Sequence, residues 1–338
     1  MRAAIKAIEY ALPGKTVTNA DLVAEFPDWT VDKIEEKTGI RQRPIASADE
    51  CASDLGVVAA ERLFSSGVCS PEQIDYLLFC TQSPDYFLPT TACVMQERLG
   101  LPRTVGALDF NLGCSGYVYG LGLAKGLIET GQARNVLLIT GETYSKHIHP
   151  GDKSVRTLFG DAGTATLIQG IEASEERVGP FVYGTDGGGA KNLIVPQGGM
   201  RSPMGRTPAE VVTDAHGNQR STEHLYMNGS EIFTFTLLTV PKSVKALLDK
   251  AGIEPDQVDL YVFHQANKFM LDALRKKVKI PEDKFFLAYE KFGNTVSCTI
   301  PIALKEAVDC GVLRPGMTVV LVGFGVGYSW GANLVRWI

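Results

Sequence analysis

Three residues of types that cooperate in nucleophilic catalysis lie far apart in the sequence: Cys114, His264 and Asn294. Cys114 stands between two glycines in "NLGCSGYV", where a strand-like apolar run gives way to a helix-like one. The free N–H groups at a helix N-terminus favour a thiolate and lower the pKa of a thiol. A lone cysteine is more often a small buried packing residue, so this position alone leaves both roles open.

His264 ends the apolar run "LYVF", and a histidine at the end of a strand usually faces a cleft, although a structural role is the alternative. Asn294 follows a glycine in "KFGNTVS", a pair that is commonest in turns. His147 and His149 form an H-x-H pair, but no third ligand lies near them in the sequence. We therefore expect no metal site at this pair.

Two further motifs have competing interpretations. The glycine-rich "GFGVG" (323–327) lacks the third glycine of a nucleotide-binding loop and precedes a strand, so we expect no phosphate site there. Such a turn can instead present a backbone N–H group to an oxyanion. The basic run contains Lys268, Arg275, Lys276 and Lys277 and is either a solvated helix face or a docking patch for an acidic partner.

Composition limits the class of protein. Hydrophobic residues make up 45% and charged residues 21% of the 338 residues, which is typical of a soluble globular protein. The net charge of -5 gives no whole-chain reason to expect nucleic-acid binding. The seven cysteines form no C-x-x-C pair, which argues against a zinc site or disulfide framework and favours the cytoplasm. No signal peptide is apparent, and 317–335 is typical of two buried strands rather than a membrane span.

The chain contains two copies of a strand-helix unit. Residues 71–82 ("PEQIDYLLFCTQ") resemble 255–266 ("PDQVDLYVFHQA"), and 126–141 resemble 306–323. Short unbroken apolar runs separated by helical patterns predict largely parallel strands covered by helices. We therefore predict an α/β fold of two similar halves, 1–172 and 173–338, related by a pseudo-dyad. The glycine-rich stretch 185–222 is predicted to form a loop-rich flap.

Aligning the two copies on their helix-ending glycines, Gly131 and Gly311, places Cys114 opposite Asn294. Both residues then lie at strand-to-helix junctions that point into the interface between the halves. Ligand sites gather at such interfaces in α/β proteins. The repeat therefore strengthens the case for a reactive thiol at Cys114.

With these residues identified, the chain resembles the β-ketoacyl-acyl carrier protein synthase III family of thiolase-fold condensing enzymes. The resemblance spans nearly the whole chain and is carried by "TGIRQR", "GCSGYVYGL", "FGDAGTA", "HQAN", "FGNTVS" and "GFGVGYSWGANLVRW". It implies a thiolase-like fold, with mixed five-stranded sheets in an αβαβα arrangement. The separate Cys, His and Asn distinguish this branch from thiolases, which use a second cysteine.

The resemblance also implies roles in a reaction. Cys114 would accept an acyl group from acyl-CoA or an acyl carrier protein, and His264 and Asn294 would stabilise the enolate formed when malonyl-acyl carrier protein loses CO₂. Backbone N–H groups of Cys114 and Val326 would form an oxyanion hole, and Phe324 would line the site. The family implies no metal or bound cofactor, a homodimer, and fatty acid biosynthesis or a related pathway in the cytoplasm.

Several positions differ from the family pattern or complete its substrate site. Lys33, Lys37 and Lys153 stand where a Trp and Arg side chains hold the adenine of CoA, and ammonium groups stack poorly. Leu88 replaces a bulky aromatic that closes the acyl pocket from the dimer partner, which suggests room for a longer primer. Phe269 replaces an arginine associated with carrier docking. Substrate contacts are further expected at Gly229, Ser230 and Asn267.

Two alternative functions remain open from the sequence. An acyltransferase of a specialised pathway, making secondary metabolites or surface glycans, could use the same cysteine without forming a C–C bond. A non-catalytic partner subunit would have no need of all three residues. The intact set of Cys114, His264 and Asn294 therefore favours an enzyme.

Overall fold

The computed structural model describes residues 1–206 and 208–338. Its first half contains the repeat unit that carries Cys114. In chain order the elements of this half are β1 (Arg2–Ala11), β2 (Lys15–Thr18), α1 (Asn19–Glu25), α2 (Val31–Thr38), β3 (Gln42–Ile45), α3 (Ala52–Ser65), β4 (Tyr76–Cys80), α4 (Thr91–Arg98), β5 (Gly106–Phe110), α5 (Gly116–Glu129), β6 (Asn135–Glu142), α6 (Lys153–Arg156) and β7 (Ala162–Ile171).

The second half carries His264 and Asn294. Its elements are β8 (Val178–Thr185), β9 (Leu193–Ile194), β10 (Val212–Thr213), β11 (Gln219–Arg220), β12 (Tyr226–Met227), α7 (Gly229–Ala251), β13 (Leu260–Phe263), α8 (Lys268–Val278), α9 (Thr299–Asp309), β14 (Thr318–Gly325) and β15 (Ser329–Arg336). The predicted division between residues 172 and 173 lies in the connection from β7 to β8.

The first half forms a five-stranded mixed sheet in the order β1-β7-β6-β4-β5. Strands β5 and β6 flank β4 in parallel, and β7 and β1 are added antiparallel. Every residue of β6 is buried, which follows from the apolar run "VLLI" at its centre and the helices on both faces. The parallel strands end at the edge where Cys114 follows β5.

The second sheet corrects the prediction of five strands, because it has four in the order β13-β14-β15-β8. At the fifth position, Phe285 makes a single parallel bridge to Tyr261, and Phe286 N–H donates to the Tyr261 carbonyl at 3.0 Å. Ala288 N–H then donates to the side-chain oxygen of Gln265 at 2.8 Å. Ala288 is thus bonded to a side chain rather than to backbone, and the pairing with β13 stops at the single bridge.

The helices complete the predicted five layers. Helices α3 and α4 cover the outer face of the first sheet, α5 and α9 lie between the sheets, and α7 and α8 cover the second sheet. Helix α5 can occupy the central layer because its apolar residues cover most of its surface: Tyr117, Val118, Leu121, Ala124 and Ile128 are all fully buried. The thiolase-like αβαβα arrangement is therefore confirmed.

The repeat is also confirmed in the structure. Each copy begins with a short 3₁₀ helix, Pro71–Gln73 in one and Pro255–Gln257 in the other, and continues into β4 or β13. Residues 317–335, considered above as a membrane segment, contain the antiparallel pair β14 and β15. Across residues 1–206 and 208–338, no helix combines the length and apolar character needed to cross a membrane.

Candidate active site

Cys114 lies in the tight turn that joins β5 to the central helix α5. Gly116 N–H donates to the Gly113 carbonyl at 2.8 Å, and α5 begins two residues after the cysteine. Gly116 is required here because a Cβ atom would lie 2.3 Å from the sulfur of Cys80. The turn thus presents Cys114 at the N-terminus of a buried helix, with 5% of the residue exposed.

Burial dominates the ionisation of the thiol, which corrects the expectation of a lowered pKa. Burial raises the pKa of Cys114 to about 12, and the charge of Glu142 raises it further. The backbone N–H groups of Cys114 and Val326 act in the opposite direction but are the smaller effect. The resting sulfur is therefore a neutral thiol, and a proton acceptor is needed when it reacts.

His264 follows the last residue of β13, and its backbone N–H continues the sheet by donating to the Val322 carbonyl at 2.8 Å. Its side chain is almost fully buried, and its Nδ1 atom lies 2.7 Å from the hydroxyl oxygen of Thr299. Burial lowers the pKa of the imidazole to about 3, so the ring is neutral at physiological pH. A neutral imidazole keeps one nitrogen lone pair available for a proton.

Asn294 is fixed through both its backbone and its side chain. Its N–H donates to the Leu158 carbonyl at 2.8 Å, and its carbonyl accepts from Gly160 N–H at 3.0 Å. Its side-chain oxygen accepts the N–H of Val296 at 2.9 Å. No hydrogen bond to a described residue engages the Nδ2 group, so this amide remains able to donate to a ligand.

One cavity of about 90 Å³ brings the three predicted catalytic residues together. Phe324 lines this cavity as predicted and packs edge-on against the ring of His264, with ring centroids 5.4 Å apart. Asn267 and Gly229, the first residue of α7, also line it. The remaining wall is mainly apolar, so the cavity suits an acyl chain attached to a reactive carbonyl.

The turn at 323–327 approaches the nucleophile closely. A Cβ atom at Gly325 would lie 3.0 Å from both the Cβ and the sulfur of Cys114. The backbone N–H of Val326 acts on the thiol, as an oxyanion donor must. The structure therefore places the backbone of Val326 beside Cys114 although its side chain is β-branched.

An outer cavity of about 510 Å³ contains the three lysines expected near CoA. Lys33 and Lys37 lie one helical turn apart on α2, with their Nζ atoms 5.0 and 5.6 Å from the ring centroid of Trp29. Lys153 lines the same cavity and forms an ion pair with Asp28. Sequence reasoning missed Trp29, although its position before the N-cap of a helix with lysines on one face was a usable signal.

The outer and inner cavities share Leu158 in their linings. The backbone carbonyl of Leu158 is the acceptor for Asn294 N–H. A flexible arm that joins a group in the outer cavity to a carbonyl near Cys114 would thus pass this side chain.

Two predicted substrate contacts do not line the inner cavity. Ser230 is exposed, and its hydroxyl donates to the Asn228 side chain at 2.9 Å at the start of α7. Leu88 is 82% exposed at the surface, beside Tyr86 and Phe87, which are 61% and 84% exposed. Leu88 therefore does not close the pocket of its own chain.

The predicted docking residues on α8 differ in their environments. Lys268 pairs with Asp272 at 2.5 Å, and Arg275 lies 3.6 Å from Glu282. Lys276 and Lys277 are exposed, and no carboxylate of the described residues pairs with either. Two of the four cations thus remain available to an acidic partner.

Phe269, at the start of the same helix, is 64% exposed and stacks on Phe233 of α7, with ring centroids 5.0 Å apart. The surface beside the cavity mouth is therefore apolar at the position where the family pattern has an arginine.

A buried carboxylate near the thiol was also missed. Glu142, the last residue of β6, accepts hydrogen bonds from the Ser297 hydroxyl at 2.7 Å and from Gln82 N–H at 3.1 Å. Burial raises the pKa of Glu142 to about 8, against the lowering effect of these donors. No sequence pattern indicated this residue, because an acid at the end of an apolar run is typical of the start of an exposed loop.

Comparisons with known proteins agree with this geometry. Residues 108–187 match the family model described as 3-Oxoacyl-[acyl-carrier-protein (ACP)] synthase III, and residues 248–337 match the model of its C-terminal region. The β-ketoacyl-[acyl-carrier-protein] synthase III of Caldanaerobacter subterraneus subsp. tengcongensis is 34% identical over 326 residues, covering 96% of this chain and 95% of that protein. The chain belongs to the β-ketoacyl-acyl carrier protein synthase III family.

Solved structures of synthase III proteins share the whole architecture. A 3-oxoacyl-(acyl-carrier-protein) synthase III crystal structure is 55% identical, with a TM-score of 0.99 and complete coverage of both chains. The protein from Burkholderia xenovorans LB400 is 39% identical with a TM-score of 0.91, covering 100% of this chain and 94% of that chain. The two matched synthase III regions include Cys114 in one and His264 and Asn294 in the other.

Proposed function

We propose that the protein joins an acyl group to a malonyl-derived unit through a decarboxylative Claisen condensation. The observation that supports this most directly is the shared cavity in which Cys114, His264 and Asn294 meet. A nucleophile, a proton acceptor and an amide donor around one small apolar space match the needs of acyl transfer followed by enolate formation. Membership of the synthase III family agrees with this reaction.

In the first half-reaction, the sulfur of Cys114 attacks the carbonyl carbon of an acyl thioester. Because burial keeps the thiol neutral, its proton passes to His264 Nε2 as the S–C bond forms. The negative oxygen of the tetrahedral intermediate accepts the N–H groups of Cys114 and Val326. The imidazolium passes this proton to the donor's sulfur as the bond to the donor breaks, because burial holds the pKa of His264 at about 3. The donor leaves as a thiol, and acyl-Cys114 and neutral His264 remain.

In the second half-reaction, the malonyl thioester enters the cavity and loses CO₂. The electron pair of the broken C–C bond moves into an enolate. The enolate oxygen accepts hydrogen bonds from Asn294 Nδ2 and from His264 Nε2, which takes up a proton from solvent as the negative charge forms beside it. The enolate carbon attacks the acyl carbonyl and displaces the sulfur of Cys114. The thiolate recovers the proton from His264, so the resting state is restored without an added metal, oxidant or reductant.

Acyl-CoA is the primer donor that best fits the outer cavity. The ammonium groups of Lys33, Lys37 and Lys153 suit the phosphates of CoA, and the ring of Trp29 offers an aromatic surface for adenine. The pantetheine arm would then pass Leu158 to reach Cys114. The exposed Lys276 and Lys277 suit docking of an acidic carrier that delivers the malonyl group.

The exposed loop Tyr86–Leu88 supports a homodimer. Three adjacent large apolar side chains are exposed there, and such a patch on a soluble protein marks an interaction surface. We propose that a second copy covers this loop and that the partner's loop closes the acyl pocket.

The seven free cysteines, with no disulfide among them, are consistent with the reducing cytoplasm.

Incubation with acyl-CoA and ¹³C-malonyl-acyl carrier protein tests the proposal. We expect a β-ketoacyl product with release of labelled CO₂, no acylation in Cys114→Ala, and acylation without condensation in Asn294→Ala. His264→Ala should slow both half-reactions. Transfer of the acyl group to an amine or alcohol, with no C–C bond formed, would instead establish the acyltransferase alternative.

A further inference from the structure

Thr299, the first residue of α9, is the direct partner of the catalytic imidazole. Its hydroxyl oxygen lies 2.7 Å from His264 Nδ1, and both residues are buried, with 2% of each exposed. In a buried site, one of these two atoms must carry the proton of the hydrogen bond and the other must accept it. The direction of the hydrogen bond therefore decides which ring nitrogen of His264 carries a proton.

The hydroxyl proton of Thr299 takes part in a different hydrogen bond. It is donated to the carbonyl oxygen of Val296 at 3.0 Å, one turn before the helix begins. A hydroxyl has a single proton, so toward His264 the Thr299 oxygen can only accept. The Val296 carbonyl also acts on the imidazole and favours a proton on the ring nitrogen that faces it.

From this geometry we infer that Thr299 is a positioning residue that holds neutral His264 in the Nδ1–H tautomer. The Nε2 lone pair is then left to take the proton of Cys114 in the shared cavity. This inference rests on the proposed function, because it assigns the proton acceptor of the first half-reaction. The opposite tautomer would place an Nε2–H group in the cavity and could not accept the proton.

Val296 connects the Thr299–His264 pair to Asn294. Its carbonyl holds the Thr299 hydroxyl, while its N–H holds the side-chain oxygen of Asn294 at 2.9 Å. Val296 has φ +58°, a left-handed conformation that is costly for a β-branched residue. The turn at Val296 therefore orients both residues: its carbonyl holds the Thr299 oxygen that accepts from His264, and its N–H holds the side-chain amide of Asn294.

Replacing the hydroxyl tests the inference, and Thr299→Val and Thr299→Ser form the informative pair. Thr299→Val removes the acceptor at nearly constant volume, whereas Thr299→Ser keeps it. The matched control is Thr236→Val, since the Thr236 hydroxyl is also fully buried and donates to a carbonyl of its own helix, that of Ile232 at 2.7 Å. A loss of activity caused by buried polarity or packing alone would occur in the control as well.

The first readout is ¹⁵N NMR of the resting protein labelled at histidine, assigned with His264→Ala. We expect a pyrrole-type Nδ1 and a pyridine-type Nε2 in the wild type, Thr299→Ser and Thr236→Val, and loss of that fixed pattern in Thr299→Val. A pyridine-type Nδ1 in the wild type overturns the inference. So does an unchanged tautomer in Thr299→Val.

The second readout is the rate of acyl transfer to Cys114, measured apart from condensation. Because a positioned general base contributes about 100-fold or more, we expect Thr299→Val to slow acylation at least ~10-fold. Thr299→Ser should recover the wild-type rate within about twofold. Equal rates in Thr299→Val and wild type overturn the inference.

The two readouts also separate this inference from the proposed function. A wild-type protein with the expected tautomer that forms no β-ketoacyl product contradicts the function and leaves the tautomer assignment standing. If Thr299→Val does not fold, the wild-type spectrum and a Thr299→Ala variant still decide the assignment.

Discussion

Gly325 lies so close to Cys114 that any side chain at 325 would have to push the cysteine aside. A Cβ atom there would lie 3.0 Å from both the Cβ and the sulfur of Cys114, a separation tighter than most real contacts. The backbone of the 323–327 turn must nevertheless remain near, because the Val326 N–H acts on the thiol. Glycine at 325 therefore determines how close the oxyanion donor comes to the nucleophile.

Gly325→Ala should lower the rate of Cys114 acylation by about 10- to 100-fold, since loss of one oxyanion donor costs ~2 to 4 kcal/mol and displacement costs part of that. Acylation is measured by mass spectrometry of the intact protein after mixing with acyl-CoA. Gly126→Ala is the control, because its Cβ would meet nothing within 4 Å. An acylation rate in Gly325→Ala equal to that of the control would contradict the close-approach argument.

Acylation of Cys114 should be nearly independent of pH between about 6 and 9. Burial raises the pKa of Cys114 to about 12 and lowers the pKa of His264 to about 3, so neither group changes its protonation in this interval. The measurement is the single-turnover acylation rate across the interval.

Glu142 acts on Cys114 through its charge, and its pKa of about 8 does lie within that interval. Glu142→Gln therefore serves as the control that removes any remaining slope. A rise in rate with a midpoint near the ordinary histidine value of about 6.5, retained in Glu142→Gln, would show that His264 titrates normally.

Glu142 should make the protein less stable as the pH rises from about 4.5 to 8. Its pKa is raised in the folded state, so the folded protein keeps a proton that the unfolded chain has released. The stability this gives is fully present below pH 4.5 and is lost as the pH rises to about 8, in total on the order of 5 kcal/mol at ~1.4 kcal/mol per pKa unit.

Urea unfolding at pH 5 and pH 8 measures this loss. Glu142→Gln should lose several kcal/mol less than the wild type between the two pH values, whereas the exposed Glu61→Gln should behave as the wild type. Parallel losses in all three proteins would show that Glu142 is ionised in the folded state throughout.

The two thioester substrates should respond to different substitutions. Trp29→Ala removes the aromatic surface of the outer cavity, and because base stacking contributes ~1 to 3 kcal/mol, the KM for acyl-CoA should rise at least about fivefold. Trp29→Phe should restore most of the affinity.

Substitution of both exposed lysines of α8, Lys276→Ala with Lys277→Ala, should instead raise the KM for malonyl-acyl carrier protein and weaken its salt dependence. The KM for acyl-CoA should stay unchanged in this double variant. Steady-state kinetics with each substrate varied in turn measures the split. A uniform rise in both KM values in either variant would mean that the two surfaces are not separate.

The sequence predicted the features that depend on local pattern. The repeated strand-helix unit predicted two halves, and its register brought Cys114 and Asn294 to one cavity. The strand-to-helix junction predicted at Asn294 was wrong, because the segment between α8 and α9 contains no strand and α9 begins only at Thr299. The family resemblance led us to expect Lys33, Lys37 and Lys153 near one site, and all three line the outer cavity. The fifth strand of the second sheet was wrongly expected: Phe285 makes a single bridge to Tyr261, and Ala288 bonds to the side chain of Gln265, a contact between residues far apart in sequence that no local pattern reveals.

The pKa of the nucleophile and the orientation of its partners could not be predicted. The helix N-terminus at Cys114 is visible in the sequence, but the burial that outweighs it arises only when both sheets pack on α5. Valine rarely adopts a left-handed conformation, so its local preference would predict a different backbone at Val296. The roles of Thr299 and Glu142 likewise depend on contacts that form only in the folded chain.

Backbone hydrogen bonds join the segment of Leu158, which lines both cavities, to the segment of Asn294. Leu158 lines both the outer and the inner cavity, and its carbonyl accepts the backbone N–H of Asn294, the proposed donor to the enolate. A primer or arm bulky enough to displace Leu158 would pull on Asn294 through that bond. Fidelity in this protein would then be enforced kinetically: an ill-fitting group could bind and even acylate the enzyme, yet would slow the carbon-carbon bond that follows.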